Sequence, residues 1–213
     1  MTTATAGQPE LWSEKWQAIG QGPNACLYTP QEPRTDHERL QRFYFLDLFE
    51  LALRLPATAR YVEFGAGRGT TAMYLASRGC EVEMVDLSLD GFELCDRNCE
   101  RFRLPPITKC LADVRQTGYA SESFDCVYSI GLLEHFDDAE CLAVLHEMRR
   151  VLKPNGLLFA TACHAHGGQR EDAAEFARTP RRYQELLCEA KFPWPSCRPY
   201  RQLSGVYRIV SFL

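Results

Sequence analysis

Glu63, Gly65, Gly67 and Gly69 follow one another at two-residue spacing, and Asp86 ends the next apolar run. Glycines at these positions let the backbone take positive φ and let a ligand approach without Cβ atoms in the way. Glu63 stands at the expected carboxyl end of a buried strand, Arg60–Phe64, where ligands of open α/β sheets bind. A carboxylate at Asp86 accepts hydrogen bonds from both hydroxyls of a ribose diol. A nicotinamide or flavin site wants G-x-G-x-x-G, whereas here the third glycine comes one residue early. Asp86 suits either kind of nucleoside, so it does not discriminate. The chain has no Tyr-x-x-x-Lys pair, the proton relay of short-chain dehydrogenases.

Histidines supply the general-base candidates, because their ordinary pKa lies near neutrality. His135 follows the expected fourth strand, and His164 and His166 follow the fifth, all on the ligand side of a parallel sheet. Glu134 is a candidate orienting partner for His135. Ten cysteines are scattered without a C-x-x-C pair, which reads as reduced, mostly buried thiols rather than a secreted disulfide framework. Cys95 and Cys99 lie one helical turn apart, but two thiols alone make a poor zinc site. Cys163, His164 and His166 form a weak cluster, and no metal is expected.

These side chains need a scaffold, and 213 residues suffice for one domain with a substantial core. Hydrophobic content of 46% and charged content of 24% are those of an ordinary globular protein. A net charge of −4 argues against a dedicated nucleic-acid binder. No apolar run is long enough to span a bilayer, and the N-terminus lacks a signal-peptide pattern, so a cytoplasmic location is expected. The spacing predicts an amphipathic segment over 10–19 and a long helix over 36–55. Strands follow at 60–64, 81–86, 107–112, 124–130 and 157–162, with helices at 69–78, 90–103 and 137–152 between them. Lys153–Gly156 reads as a sharp turn into the fifth strand. Thr179 and Pro180 open a last helix, and two strands near 196–201 and 206–212 complete the chain. Alternation of this kind predicts a parallel sheet covered on both faces.

Several ordered motifs resemble those of class I S-adenosylmethionine-dependent methyltransferases. They are Glu63-x-Gly65-x-Gly67-x-Gly69 with Asp86, Ala112-Asp113-Val114, Phe124-Asp125-x-Val127, Gly131–Phe136 and Met148–Leu157. The likeness covers about residues 60–162 and is nearest the ubiquinone- and menaquinone-biosynthesis group. It implies a Rossmann-like α/β fold, doubly wound, with a seven-stranded, mostly parallel sheet. Residues 1–55 would form a helical cap or lid and residues 56–213 the methyltransferase domain. The cofactor would be S-adenosyl-L-methionine. Glu63 and the turn Gly65, Ala66, Gly67 and Gly69 would hold its methionine part, Asp86 its ribose, and Leu87 and Val114 its adenine. Asp113 would accept from the adenine amino group, and Ser129 and Ile130 would lie beside the sulfonium.

The resemblance implies methyl transfer to oxygen, nitrogen or carbon of a small molecule by in-line displacement; His135 and His164 are the candidate bases by their chemistry and position. Ser129-Ile130-Gly131-Leu132 is not the motif of nucleic-acid amine methylators, and no Pro-Cys pair exists. The expected partner is therefore a small-molecule methyl acceptor, with no nucleic acid and no membrane span. Trp12, Trp16, Phe43, Tyr44 and Trp194 are expected to wall its pocket. A homodimer is a further expectation. The alternatives are a cofactor-binding protein with non-methylating chemistry, a pseudo-enzyme partner subunit and, more distantly, a nicotinamide dehydrogenase.

Overall fold

The computed structural model describes residues 9–163, 176, 178–200 and 206–213. Among these residues seven strands form one sheet: β1 (Arg60–Phe64), β2 (Glu81–Asp86), β3 (Thr108–Leu111), β4 (Phe124–Ile130), β5 (Leu152–Cys163), β6 (Ser196–Pro199) and β7 (Val206–Phe212). Their order is β3-β2-β1-β4-β5-β7-β6. The β1–β5 pairings are parallel, and β7 runs antiparallel between β5 and β6. Strand order reverses at β1, which pairs with β2 on one side and β4 on the other, so a crevice opens beyond their carboxyl ends.

Both faces of the sheet are covered, and β4 shows why its sequence reads as nearly continuous apolar residues. Cys126 and Tyr128 pack toward α2 (Asp36–Ala52), α3 (Thr70–Ala76) and α4 (Leu89–Phe102), with Phe45, Leu48, Met73 and Phe92. Val127 packs toward α5 (Asp138–Val151) and α6 (Pro180–Glu189), with Leu145, Met148 and Leu186. Helix starts follow capping chemistry. Thr35 with Glu38, and Asp137 with Glu140, form capping boxes, while Thr179 caps α6 with Pro180 in its first turn. None of α1 (Pro9–Gly20) is buried, whereas α2 buries Tyr44, Phe45, Leu48 and Ala52.

Three expectations change. Lys153–Gly156 is not a turn ahead of β5 but a bulge within it, because Leu152 already pairs with Phe124 and the ladder resumes at Cys126 with Leu157. Asn155 absorbs the kink at φ 62°. Phe43 and Tyr44 pack on Tyr200, with ring centroids 5.1 and 6.0 Å away, rather than on a ligand cavity. Trp194 is 95% exposed and lines no part of the crevice described below. The nine cysteines whose side chains are described are free thiols, and of these Cys95, Cys99, Cys126 and Cys141 are buried. No described helix is long and apolar enough to cross a membrane.

Candidate functional site

The glycine turn after β1 is left-handed at all three positions, with φ 65° at Gly65, 50° at Gly67 and 63° at Gly69. The amides of Gly65 and Ala66 donate to the Val85 carbonyl at 2.9 and 3.2 Å, tying the turn to the end of β2. One residue on, Asp86 accepts from the Gly67 amide at 2.8 Å through Oδ2 and from the Ser88 amide at 2.9 Å through Oδ1. Burial pushes the Asp86 carboxyl up, and those amides oppose the shift. Each oxygen keeps acceptor capacity beyond its one amide, and the residue lines the cavity.

Close packing fixes the turn from behind and above. A Cβ on Gly67 would stand 2.0 Å from Trp16 Cζ2, and one on Gly65 would stand 2.4 Å from Leu132 Cδ1. Gly91, in the first turn of α4, is a residue that sequence reasoning missed. A Cβ there would meet the Gly67 carbonyl carbon and oxygen at 2.9 Å, and backbone atoms cannot swing aside. Gly91→Ala is therefore expected to destabilise the protein by about 1–3 kcal/mol in urea unfolding and to displace the turn. Unchanged unfolding would contradict this packing.

Glu63 is 3% exposed, and its Oε2 accepts from Tyr128 Oη at 3.0 Å and the Ala72 amide at 3.1 Å. Burial outweighs these two bonds and raises its pKa to about 8. The folded state thus binds a proton on Glu63 that the unfolded chain releases near pH 4.5. Unfolding then carries fewer bound protons, so stability contributed by this group is full below the unfolded value and declines as pH rises toward 8. The slope of unfolding free energy against pH between 5 and 8 should be less negative in Glu63→Gln than in the unsubstituted protein. Equal slopes would remove Glu63 as the group responsible.

A cavity open to solvent lies above the turn. Of the residues expected at a cofactor, Glu63, Gly65, Ala66, Asp86 and Leu87 line it, as do Val114 and Ile130. Gly67 and Gly69 shape the turn without lining the cavity. Ser129 is fully buried within β4, its hydroxyl without a hydrogen-bond partner. Asp113 lies outside the lining, held by Arg115, whose Nη2 stands 2.6 Å from its Oδ2 and whose Nη1 reaches Glu140. Burial pushes the Asp113 carboxyl up, and Arg115 more than reverses it. Beyond the expected set, Lys15, Gln41 and Arg68 also face the cavity.

His135 lines the cavity's far wall on a single 3-10 turn, Leu133–His135, reached through Gly131 at φ 68°. Its ring meets Trp12 of α1 edge-on at 4.9 Å. The turn is held by Arg178, 4% exposed, which donates to the carbonyls of Leu133 and Phe136 and to Asp138. Nothing in the local sequence around Arg178 announces this clamp, since it forms across chain-distant elements. His164 and His166 lie outside the described residues, as does the side chain of Cys163. Among the described residues no cluster could hold a metal ion.

Residues 62–156 match a family model described as a methyltransferase domain. That stretch is thus similar to a methyltransferase domain. Two relatives carry the likeness in sequence. The S-adenosyl-L-methionine-dependent Diels-Alderase iccD of Talaromyces variabilis is 34% identical over 107 residues, 49% of this chain and 36% of that protein. Methyltransferase GfsG of Streptomyces halstedii is 32% identical over 108 residues, 50% of this chain and 38% of that protein. The matches thus span less than half the length of either relative. In structure, the cyclase SpnF superposes with a TM-score of 0.69 at 20% identity, covering 90% of this chain and 74% of its own, a likeness of fold. The cavity sits at the carboxyl ends of β1, β2 and β4, where the strand order reverses.

Proposed function

We propose that the protein is an S-adenosyl-L-methionine-dependent methyltransferase acting on a small-molecule acceptor in the cytoplasm. The observation that supports this reading most is the joining of the glycine turn to Asp86, which aims a carboxylate into an open cavity between the apolar walls of Leu87 and Val114. When bound, the cofactor supplies a methyl carbon already activated by a sulfonium. Asp86 would hold the ribose diol, and Glu63 would face the cationic amino-acid end. His135 would take the proton released by a hydroxyl or amine acceptor, with Trp12 fixing its ring. The helix α1 would act as the lid, keeping water from the reacting atoms.

Titration calorimetry with S-adenosylhomocysteine, run beside NAD, tests the cofactor, and transfer of labelled methyl to hydroxyl, amine and enol acceptors tests the reaction. Micromolar binding of the thioether nucleoside with transfer supports the reading. Binding of NAD alone overturns it. Nucleoside binding without transfer would move the protein toward the chemistry named in the cyclase relatives.

A further inference from the structure

Three hydrogen-bond donors on one side of the cavity have no anionic acceptor among the described residues. Lys15, half-buried on α1, faces the cavity and forms no ion pair there; its ammonium lies 4.6 Å from the Trp12 ring centroid. The indole N–H of Trp16, one residue on, is buried without an acceptor. Arg68, half-buried in the glycine turn, lies over the Trp16 ring at 5.7 Å. It donates to the Asn24 carbonyl and to Thr70 Oγ1, both neutral, and no carboxylate pairs with it. Burial lowers its pKa to about 10, as expected of a desolvated guanidinium without an anion. Elsewhere the half-buried arginines 60, 115 and 208 each have a carboxylate partner. Two cations lining one cavity, with an orphaned N–H on a third lining residue, are the donor set of an oxyanion-binding site.

We propose that Lys15, the Trp16 indole N–H and Arg68 form an anion-binding site on the α1 side of the cavity, taking a carboxylate or phosphate group of a ligand. The site deepens the methyltransferase reading and rests on it for the ligand's identity. Two sources share this chemistry: the carboxylate of the cofactor's amino-acid end and an acidic group on the methyl acceptor. The planar faces of Trp12 and Trp16 beside it suit a flat acceptor in the second case.

Calorimetry of Lys15→Met, Trp16→Phe and Arg68→Met separates them. The first two variants leave the Arg68 bond to Asn24 intact, so they keep the test alive if Arg68→Met misfolds. Each is titrated with S-adenosylhomocysteine and with 5′-methylthioadenosine, which keeps the nucleoside thioether but lacks the carboxylate. Inorganic phosphate and benzoate are then titrated into protein saturated with S-adenosylhomocysteine. A loss of about tenfold or more for S-adenosylhomocysteine alone supports the site and assigns it to the cofactor. Unchanged nucleoside affinities, with phosphate or benzoate binding lost in the variants, support it and assign it to the acceptor. Equal effects on both nucleosides, or none, with no phosphate or benzoate binding that depends on these residues, overturn it. If S-adenosylhomocysteine fails to bind the unsubstituted protein, the cofactor reading falls, and phosphate and benzoate titrated into the free protein still decide the anion site.

Discussion

Asp86→Ala is expected to weaken S-adenosylhomocysteine binding by about a hundredfold or more, because it removes two functions at once. The carboxylate aims at the cavity, and the same two oxygens anchor the amides of Gly67 and Ser88. Without it those buried amides lose their acceptor, and the turn that shapes the cavity floor loses its tie to α4. Urea unfolding of the ligand-free variant should therefore also shift down, by about 1–3 kcal/mol. Asp86→Asn separates the functions, since its one carbonyl oxygen can keep one amide while the charge is gone. It should recover part of the stability and little of the affinity. Unchanged affinity in Asp86→Ala would remove this residue from the site.

Arg178→Met carries the largest expected loss of stability, about 3–5 kcal/mol. The guanidinium is buried, and it satisfies the Leu133 and Phe136 carbonyls while pairing with Asp138. Methionine fills the space but supplies no donor, leaving buried carbonyls at both ends of the 3-10 turn that carries His135. Lysine cannot replace the fork, because its single ammonium cannot reach three diverging acceptors. Arg182, which pairs with the same Asp138 from an exposed position, is the control, and Arg182→Met should leave the unfolding midpoint nearly unchanged. If the two variants unfold alike, the clamp does not hold the turn. If Arg178→Met is stable enough to assay, its methyl transfer should fall more than its cofactor binding, because His135 rather than Asp86 is displaced.

The sheet was legible because β1, β2 and β4 bury residues on both faces, and their unbroken apolar or alternating runs end on Phe64, Asp86 and Ile130, where the structure also ends them. The glycine turn was legible for a related reason: three left-handed positions at alternate residues leave few residue types able to occupy them. What could not be read was anything decided by contact between distant elements. Trp12 and Trp16 face the cavity while Phe43 and Tyr44 do not, although all four belong to aromatic, helix-spaced segments. The difference lies in how α1 meets α4, through Ser13 and Gln17 on Asp90. The bulge at Lys153–Gly156 escaped for another reason. Its residues have turn chemistry, and only pairing of Leu152 with Phe124 reveals that the strand has already begun. The pairing of the Asp113 carboxylate with its neighbour Arg115 is a further contact that the motif alone did not announce.

The absence of buried residues in α1 bears on how long a ligand stays. A helix fastened by a few polar contacts and two rings opens at far lower cost than the sheet beneath it. Lifting that one helix would widen the cavity with β1, β2 and β4 left undisturbed. On the proposed lid role, residence time would depend on residues 9–20, and equilibrium affinity chiefly on the turn and Asp86. Substitutions at Ser13 or Gln17 would thus speed release without altering the chemistry of the cavity floor, and product turnover could be tuned from the surface of the molecule.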